Sequence, residues 1–319
     1  MYNISVVIPV EKQTKEFNKV IQSVLNQNYQ DFQIIVVSSC KIDNPVINPK
    51  IQYISLYHAK STPELLNKSI HYINSNLVCF LNPNDLLLYN ALKLRYEKFI
   101  QNHSLVACYG FGIDTDLNYQ VKCNQNYEYF YKNEQLPHNS LKSILSGHIR
   151  PSISSLMIKT DVLRQLNFNQ NLKFNFTWDF FIKLFRNFDD NICQLQEAIY
   201  ISRNEELLIN EYDKSYFTKQ VKETLLVLDN FFEKTFEDNS ARYKVYRDNY
   251  SHFFSILTEY YPYNYWLRVY LLTSYIRKNK ELGNKILDLW FLSVLLNSII
   301  AANKPNILNN LNMVKKASY

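Results

Sequence analysis

The sequence predicts an α/β fold with a mostly parallel sheet, and residues 4–39 carry this prediction. Residues 4–10 and 33–37 are two continuous apolar runs of strand length. Between them, residues 17–29 place apolar side chains three and four positions apart, as on one face of a helix. Two fully apolar strands joined by an amphipathic helix form a βαβ unit, which requires a parallel sheet covered on both faces.

The alternation of strands and helices continues along the chain. We predict strands over residues 51–56, 77–81, 105–110 and 199–203, helices over 62–73, 90–102, 161–165 and 180–188, and a hairpin turn over 112–119. From about residue 214 onward the pattern is helical. The sequence therefore predicts an α/β domain over residues 1–210, with helices flanking the sheet, and a helical domain over residues 211–319.

Composition narrows the class of protein. The five cysteines are odd in number and lack zinc-ligand spacing, which favours a reduced, cytoplasmic setting over a disulfide framework. Because the chain has only four glycines, it cannot form a glycine-rich phosphate loop of the Rossmann or P-loop type. The first strand begins by residue 4, so we expect no signal peptide.

The C-terminal segment is strongly basic. Residues 240–319 carry eleven lysines and arginines against four acidic residues, although the whole chain is only +6. An apolar run over residues 286–302 is shorter than the roughly 20 residues that a membrane span needs. Such helices suit peripheral docking at an anionic membrane surface; packing on the first domain or a homodimer interface fits them equally well. No recognised motif supports nucleic-acid binding.

Ligands of open α/β sheets bind beyond the carboxyl ends of the strands, so we expect the chemistry after Val10 and Val37. Four sequence segments in this part of the chain resemble the motifs of a known family and occur in the same order. They are ISVVIPV with VIQSVLNQNYQDFQIIVVSS, then LNKSI, then LVCFLNPND, and then SLMIKTDVL with residues 168–184. Together they resemble the glycosyltransferases of family 2, which have the GT-A fold. The resemblance implies a GT-A-like, Rossmann-like domain that binds a nucleotide-sugar donor.

The resemblance also implies a reaction. Enzymes of this family bind a nucleotide diphosphate sugar with Mn²⁺ or Mg²⁺, and an acceptor hydroxyl then displaces the diphosphate with inversion. The implied activity here is transfer of a sugar from a UDP-type donor to a cell-surface polysaccharide or lipid-linked glycan. Three acidic motifs carry that chemistry in the family, and all three are altered in this chain.

The first motif follows the second strand, where the family has an aspartate that accepts a hydrogen bond from the nucleobase. The corresponding residues here are Ser38-Ser39-Cys40-Lys41. A serine hydroxyl can accept this hydrogen bond without a charge, so Ser38 and Ser39 are candidates for the base contact. Asp43, two residues further on, is a candidate for a ribose or base contact.

The second motif is the family's DxD segment, whose carboxylates hold the metal ion against the two phosphates. It is Asn82-Pro83-Asn84-Asp85 here, so two carboxylates are replaced by amides. Hard cations prefer anionic oxygen ligands. Asp85 is therefore the candidate metal ligand, with a weakened affinity, and Asn82 and Asn84 are candidates for donor contacts.

The third motif is the family's ED pair, whose aspartate removes the proton of the acceptor hydroxyl. An ungapped match from Phe168 places this pair on Phe176-Thr177, and only the following Trp178-Asp179 is retained. A threonine hydroxyl cannot act as a general base near neutral pH. Thr177 therefore marks the catalytic position, and Asp179 is the first candidate for a substitute base or, alternatively, for a helix cap.

The remaining donor-binding candidates follow from the same resemblance. They are Pro9, Val10 and Glu11 at the end of the first strand, Asn67 in the second helix, and Arg150 and Arg203. The two arginines are candidates because a guanidinium can neutralise the diphosphate.

Two interpretations of the altered motifs remain open. In one, the chain is an active transferase that uses neighbouring carboxylates, with Asp85 on the metal and Asp179 or Asp161 as the base. In the other, it is a catalytically inactive relative that binds a glycan, a nucleotide or a partner enzyme.

Overall fold

The structure is a computed structural model, and it describes residues 2–115, 141–147, 150–203, 214–233, 235, 239–260 and 265–281. The chain divides into two compact units: unit 1 is Met1–Ile144 with Ile149–Leu208, and unit 2 is Leu145–His148 with Ile209–Tyr319. Residues 116–119 of the predicted turn and the apolar run over residues 286–302 lie outside the described residues.

Unit 1 is built on a mixed sheet. Its strands are β1 (Ile4–Val10), β2 (Phe32–Ser38), β3 (Ile51–Ser55), β4 (Leu77–Phe80), β5 (Leu86–Leu87), β6 (Ala107–Thr115), β7 (Met157–Lys159) and β8 (Ile192–Arg203). They are ordered β3-β2-β1-β4-β7-β6-β8-β5. The pairs β1–β2, β1–β4, β2–β3 and β6–β8 are parallel, whereas β7 is antiparallel to both of its neighbours and β5 is antiparallel to β8.

Helices flank this sheet. They are α1 (Phe17–Leu25), α2 (Thr62–Ser69), α3 (Ala91–Gln101), and, after the short helix α4 (Leu141–Leu145) at the boundary of the two units, α5 (Thr160–Leu166) and α6 (Phe176–Phe188). The predicted fold class, a mostly parallel sheet flanked by helices with further helices toward the C-terminus, is confirmed.

The first βαβ unit shows why the apolar pattern determines the fold. Every residue of β1 is buried, because α1 covers one face of the sheet and α2 contacts β1 as well. Helix α1 buries the face predicted from its spacing, with Val20, Ile21 and Val24 inaccessible to solvent. Burial of each such side chain contributes about 1.5–3 kcal/mol of hydrophobic free energy, so the packing of α1 stabilises this part of the sheet.

The predicted hairpin turn is wrong in its described part, because β6 continues as a strand through Gly112 to Thr115. Gly112 pairs with Tyr200 of β8. A Cβ atom on Gly112 would lie 2.3 Å from Cζ of Tyr200, so the tyrosine ring fills the space over the glycine. Gly112 therefore leaves room for the Tyr200 ring where β6 pairs with β8, and it does not form a turn.

Unit 2 contains the long helices α7 (Lys214–Phe232), α8 (Asn239–Tyr260) and α9 (Tyr265–Glu281). They enclose an aromatic and aliphatic core that includes Phe217, Tyr250, Phe254, Leu271 and Tyr275. The hydroxyl of Tyr250 is 2.8 Å from that of Ser274, which satisfies a buried polar group inside the core. None of the helices in the described ranges is long and apolar enough to span a membrane.

Candidate active site

Three parallel strands bring their carboxyl ends to one edge of the sheet in unit 1. Val10 at the end of β1 pairs with Ser38 at the end of β2, and Ser39 N–H donates to the carbonyl of Val10 at 3.0 Å. On the other side of β1, Leu81 N–H donates to the carbonyl of Val7 at 3.0 Å. We call this the carboxyl edge, defined by the carboxyl ends of β1, β2 and β4.

The end of β1 supplies one exposed acid to this edge. Pro9 and Val10 are buried within the strand, whereas Glu11 is exposed immediately beyond it. The carboxylate of Glu11 accepts a hydrogen bond from the hydroxyl of Thr62, the first residue of α2. Glu11 thereby ties the start of α2 to the carboxyl edge.

The segment after β2 is held by one glutamine. Ser38 is 2% exposed, and the side chain of Gln13 bonds the N–H of Asp43 at 2.7 Å and its carbonyl at 2.9 Å. The carboxylate of Asp43 is left at the surface, 3.8 Å from the ammonium of Lys41. Ser39 is half-buried. A base contact from Ser38 or Ser39, and a ribose contact from Asp43, stay predictions.

The turn between β4 and β5 contains the only acid of the altered DxD segment. Asp85 N–H donates to the carbonyl of Asn82 at 3.1 Å, and the Asn82 side-chain amide donates to Asp85 Oδ2 at 3.0 Å. The hydroxyl of Ser154 donates to the same oxygen at 2.6 Å and also accepts the N–H of Asn82 at 3.0 Å. Asn84 is half-buried in this turn. The turn is thus a closed hydrogen-bonded loop centred on Asp85.

Burial dominates the electrostatics of this turn. The Asp85 side chain is 4% exposed, and desolvation raises its pKa to about 6. Hydrogen bonds from Ser154, from Asn82 and from the backbone of Arg203 oppose that rise, while the negative charge of Asp114 adds to it. The donors around the carboxylate therefore offset only part of the cost of burying its charge.

A second layer of hydroxyls supports the turn. Ser152 Oγ accepts the N–H of Ser154 at 3.2 Å and the side-chain amide of Asn82 at 3.4 Å. The hydroxyl of Tyr200 hydrogen-bonds to Ser152, and burial raises the pKa of this tyrosine. Sequence reasoning missed Ser152, Ser154 and Tyr200. The one available signal was that the two serines directly precede the family-like SLMIKTDVL segment.

Arg150 lies two residues before Ser152. Its guanidinium donates to Asn175 Oδ1 at 3.1 Å and lies over the ring of Trp178, 4.4 Å from the ring centroid. The indole N–H of Trp178 donates to the carbonyl of Ile144 at 2.9 Å, which fixes the ring beneath the guanidinium. Burial lowers the pKa of Arg150 to about 10, so it remains a cation at neutral pH.

Arg203 ends β8 beside the Asp85 turn. It is 6% exposed, pairs with Thr115 of β6, and its backbone hydrogen-bonds to the Asp85 carboxylate. Its positive charge also helps to lower the pKa of Glu16, after the larger effect of the Glu16–Lys19 hydrogen bond. The structure therefore brings Asn82, Asp85 and Arg203 together.

The candidate base lies in the first turn of α6. Asp179 is 7% exposed, and its Oδ2 is 2.6 Å from the ammonium of Lys183, one turn further along. The residue at the N-cap position is Asn175, so Asp179 does not cap the helix. Thr177 is half-buried in the same turn. Catalytic roles for Thr177 and Asp179 stay predictions.

Asn67 connects α2 to the segment after α5. Its side-chain amide donates to the carbonyl of Phe168 at 2.8 Å, and its Oδ1 accepts the N–H of Phe168 at 2.8 Å. Both polar atoms of the side chain therefore hold the backbone of that segment in place. A contact between Asn67 and a donor stays a prediction.

A divalent cation does not fit the environment of Asp85. The Asp85 carboxylate faces N–H and O–H donors, which direct positive hydrogens at the oxygens that a cation would need. Elsewhere in the part of the chain that the structure describes, no group of three His, Cys, Asp or Glu side chains could hold a metal ion. Asn82 and Asn84 offer only uncharged oxygens.

The comparisons with known proteins agree with this architecture. Residues 5–157 match the sequence model of the family described as glycosyl transferase family 2. No curated protein matches the sequence significantly.

Solved structures with a similar fold include S. aureus TarS and a mannosyltransferase from Pyrobaculum calidifontis. TarS is 16% identical with a TM-score of 0.56; the match covers 80% of this chain but only 44% of TarS. TarS 1-349 in complex with UDP-GlcNAc is 16% identical with a TM-score of 0.57 and matches over 95% of this chain and 82% of that one. The mannosyltransferase PcManGT, in complex with GDP-Man and Mn²⁺, is 10% identical with a TM-score of 0.55, over 99% and 81% of the two chains. At these identities the likeness establishes the fold.

Proposed function

We propose that the chain, whose residues 5–157 match the model of glycosyl transferase family 2, is a member of that family and transfers a sugar from a nucleotide-sugar donor to a glycan acceptor. The observation that carries the proposal is the carboxyl edge, where Ser38 and the Asn82–Asp85 turn follow the strands on either side of β1. Arg203, at the end of β8, meets the same turn through its backbone hydrogen bond to Asp85. Ligands of open α/β sheets bind beyond such an edge.

We propose that the nucleotide of the sugar donor is UDP. TarS 1-349, which has a similar fold, was solved in complex with UDP-GlcNAc. In this chain a serine hydroxyl at Ser38 or Ser39 would accept the hydrogen bond from the uracil, and the cationic side chains of Arg150 and Arg203 would face the diphosphate. Pro9, Val10 and Glu11 would border the nucleotide at the end of β1.

The proposed reaction is an inverting displacement at the sugar. An acceptor hydroxyl would attack, and Asp179 would take its proton, because Thr177 at the family position cannot. The resemblance implies Mn²⁺ or Mg²⁺, and PcManGT was solved with Mn²⁺. The Asp85 carboxylate is surrounded by hydrogen-bond donors and does not suit such an ion, so the proposed reaction has no step on a cation.

The acceptor that we propose is a cell-surface polysaccharide or a lipid-linked glycan. The basic charge of residues 240–319 supports this assignment, because such acceptors are found beside anionic membrane surfaces. A cytoplasmic protein that docks peripherally through its C-terminal segment would reach them. A homodimer through the same segment is the competing use of that surface.

The decisive experiment is a donor screen. The purified chain would be incubated with a panel of UDP-sugars and GDP-sugars, with and without Mn²⁺, and release of nucleoside diphosphate would be measured. Release from one donor that exceeds the no-protein control supports the transferase. Release from none of them, together with retained UDP binding, would support the second candidate.

That second candidate is a catalytically inactive family member that binds a glycan, a nucleotide or a partner enzyme. The observation that favours it is the loss of acidic side chains at all three motifs, at Ser38, at Asn82 with Asn84, and at Thr177. Under this alternative the hydrogen-bonded turn at Asp85 serves only to shape a binding surface.

A further inference from the structure

We propose that this chain binds the diphosphate of its nucleotide ligand without a divalent cation, and that the Arg150 guanidinium supplies the positive charge in its place. The inference rests on the proposed function, since it concerns the same donor site. It follows from three features of the described residues: the donors around Asp85, the charge of its turn, and the placement of Arg150.

The first feature is the direction of the hydrogen bonds at Asp85. Oδ2 accepts from Ser154 at 2.6 Å and from the Asn82 side chain at 3.0 Å, and the Arg203 backbone adds a further hydrogen bond to the carboxylate. A carboxylate has about four lone-pair positions, and these contacts occupy most of them. A cation would have to share the carboxylate with these hydrogen-bond donors or displace them, and displacing Ser154 would also break its bond to the backbone of Asn82.

The second feature is the charge of the turn. With amides at Asn82 and Asn84, the turn itself keeps only one carboxylate to attract a cation. Mg²⁺ and Mn²⁺ are hard ions that select anionic oxygen, and an amide oxygen is a weak substitute. The Nδ2 of Asn82 donates to Asp85 and to Ser152, so this side chain could offer a cation only its uncharged Oδ1.

The third feature is a buried cation on the segment that supports the turn. Ser152 contacts Asn82 at 3.4 Å, and Arg150 is two residues away, so its Cα lies within roughly 7 Å of the Cα of Ser152. The bond to Asn175 and the stacking on Trp178 hold the guanidinium in one orientation. A planar guanidinium matches two phosphate oxygens at once, and a fixed one loses little entropy on binding.

Because of these features, the diphosphate affinity of the site should respond to different changes from the affinity of a metal-bridged site. A metal bridge makes diphosphate affinity depend on free Mn²⁺, whereas a built-in arginine makes it depend on Arg150. The comparison of UDP with UMP isolates this contribution, because the two ligands differ by the phosphate that the cation must neutralise.

The test is isothermal titration of UDP and GDP, each against its monophosphate, into the full chain treated with EDTA and then into the same chain with added Mn²⁺. We expect one diphosphate to bind with affinities that agree within about twofold in the two conditions, and to bind at least about tenfold more tightly than its monophosphate. The Arg150→Ala protein should lose most of that preference, and Arg150→Lys should retain part of it.

Arg164→Ala is the matched control, since Arg164 is a half-exposed arginine paired with Asp161 away from the turn. It should leave the affinity unchanged, and the melting temperature of each variant shows whether it is folded. If Arg150→Ala does not fold, the EDTA comparison on the unmodified chain still decides.

The outcomes separate the two proposals. Diphosphate binding that appears or tightens more than about tenfold only with Mn²⁺ overturns the cation-free inference and leaves the transferase proposal standing. An Arg150→Ala protein that is folded and keeps the full preference for the diphosphate also overturns it. Binding of no nucleotide in either condition overturns both proposals.

Discussion

Ser154 and Asp85 are 69 residues apart in the sequence, yet the serine hydroxyl donates to the aspartate carboxylate at 2.6 Å inside the sheet edge. The same hydroxyl accepts the backbone N–H of Asn82, so one side chain fixes both ends of the turn between β4 and β5. A buried charge whose donors are supplied by another segment links the stability of the fold to the shape of the candidate site.

Replacing Ser154 should therefore destabilise the protein. The Ser154→Ala protein leaves a buried carboxylate and a backbone N–H without this partner, and we expect the free energy of unfolding to fall by about 1–3 kcal/mol. Urea unfolding followed by circular dichroism measures the change. Ser104→Ala is the control, because Ser104 is exposed, and it should change stability by less than about 0.5 kcal/mol. Equal effects of the two substitutions would contradict a special role for Ser154.

The raised pKa of Asp85 predicts a pH dependence of stability. Its pKa is about 6 in the folded state against about 3.9 in the unfolded chain, so the folded state binds more protons between these values. The contribution of Asp85 to stability is fully present below about pH 4 and is lost as the pH rises through 6, by about 2–3 kcal/mol.

Unfolding of the unmodified protein and of the Asp85→Asn protein at pH values from 4 to 7.5 isolates this contribution, because all other groups are shared. We expect the unmodified protein to lose stability relative to the Asp85→Asn protein as the pH rises. A difference that is constant over this range would show that the Asp85 pKa is not raised.

The apolar pattern predicted the first half of the sheet because its information is local. Strands β1 and β2 are continuous buried runs, and α1 presents the spaced face that covers them. Polar contacts between residues far apart in the sequence produce no local pattern from which they could be predicted. The Asn67–Phe168 clamp joins residues 101 positions apart, and the two-residue strand β5 exists only through its pairing with β8.

The candidate site shows the same division. The resemblance located the turn at Asn82–Asp85 and the helix that carries Asp179, because these segments keep their apolar neighbours. It could not predict that Ser152 and Tyr200 support the turn, since their contacts depend on how β8 and the segment before β7 are placed.

Gly112 gives a steric test of that placement. A Cβ at residue 112 would lie 2.3 Å from Cζ of Tyr200, which is a severe clash, so Gly112→Ala should cost at least about 1–3 kcal/mol of stability. The Tyr200→Ala substitution removes the clashing ring. In a double-mutant cycle, the loss of stability of the double variant should therefore be smaller than the sum of the two single losses by about 1 kcal/mol or more. Strict additivity would show that the ring does not lie over the glycine.

Asp179 provides the last prediction, which concerns the proposed transfer. If it takes the acceptor proton, the Asp179→Asn protein should lose turnover by about 10²–10⁴-fold. The melting temperature should also fall, because the Asp179 carboxylate is buried and its replacement leaves the Lys183 ammonium without its partner. Initial rates of nucleoside diphosphate release and the melting temperature are the two measurements.

The control for Asp179 is Lys183→Gln, which removes the same ion pair and keeps the carboxylate. A base requires the carboxylate itself, so this variant should lose far less activity than the Asp179→Asn protein. If both variants lose the same fraction of turnover, with matching drops in melting temperature, the ion pair only stabilises α6. The proton would then have to be taken by another group, and Asp179 would no longer be the candidate base.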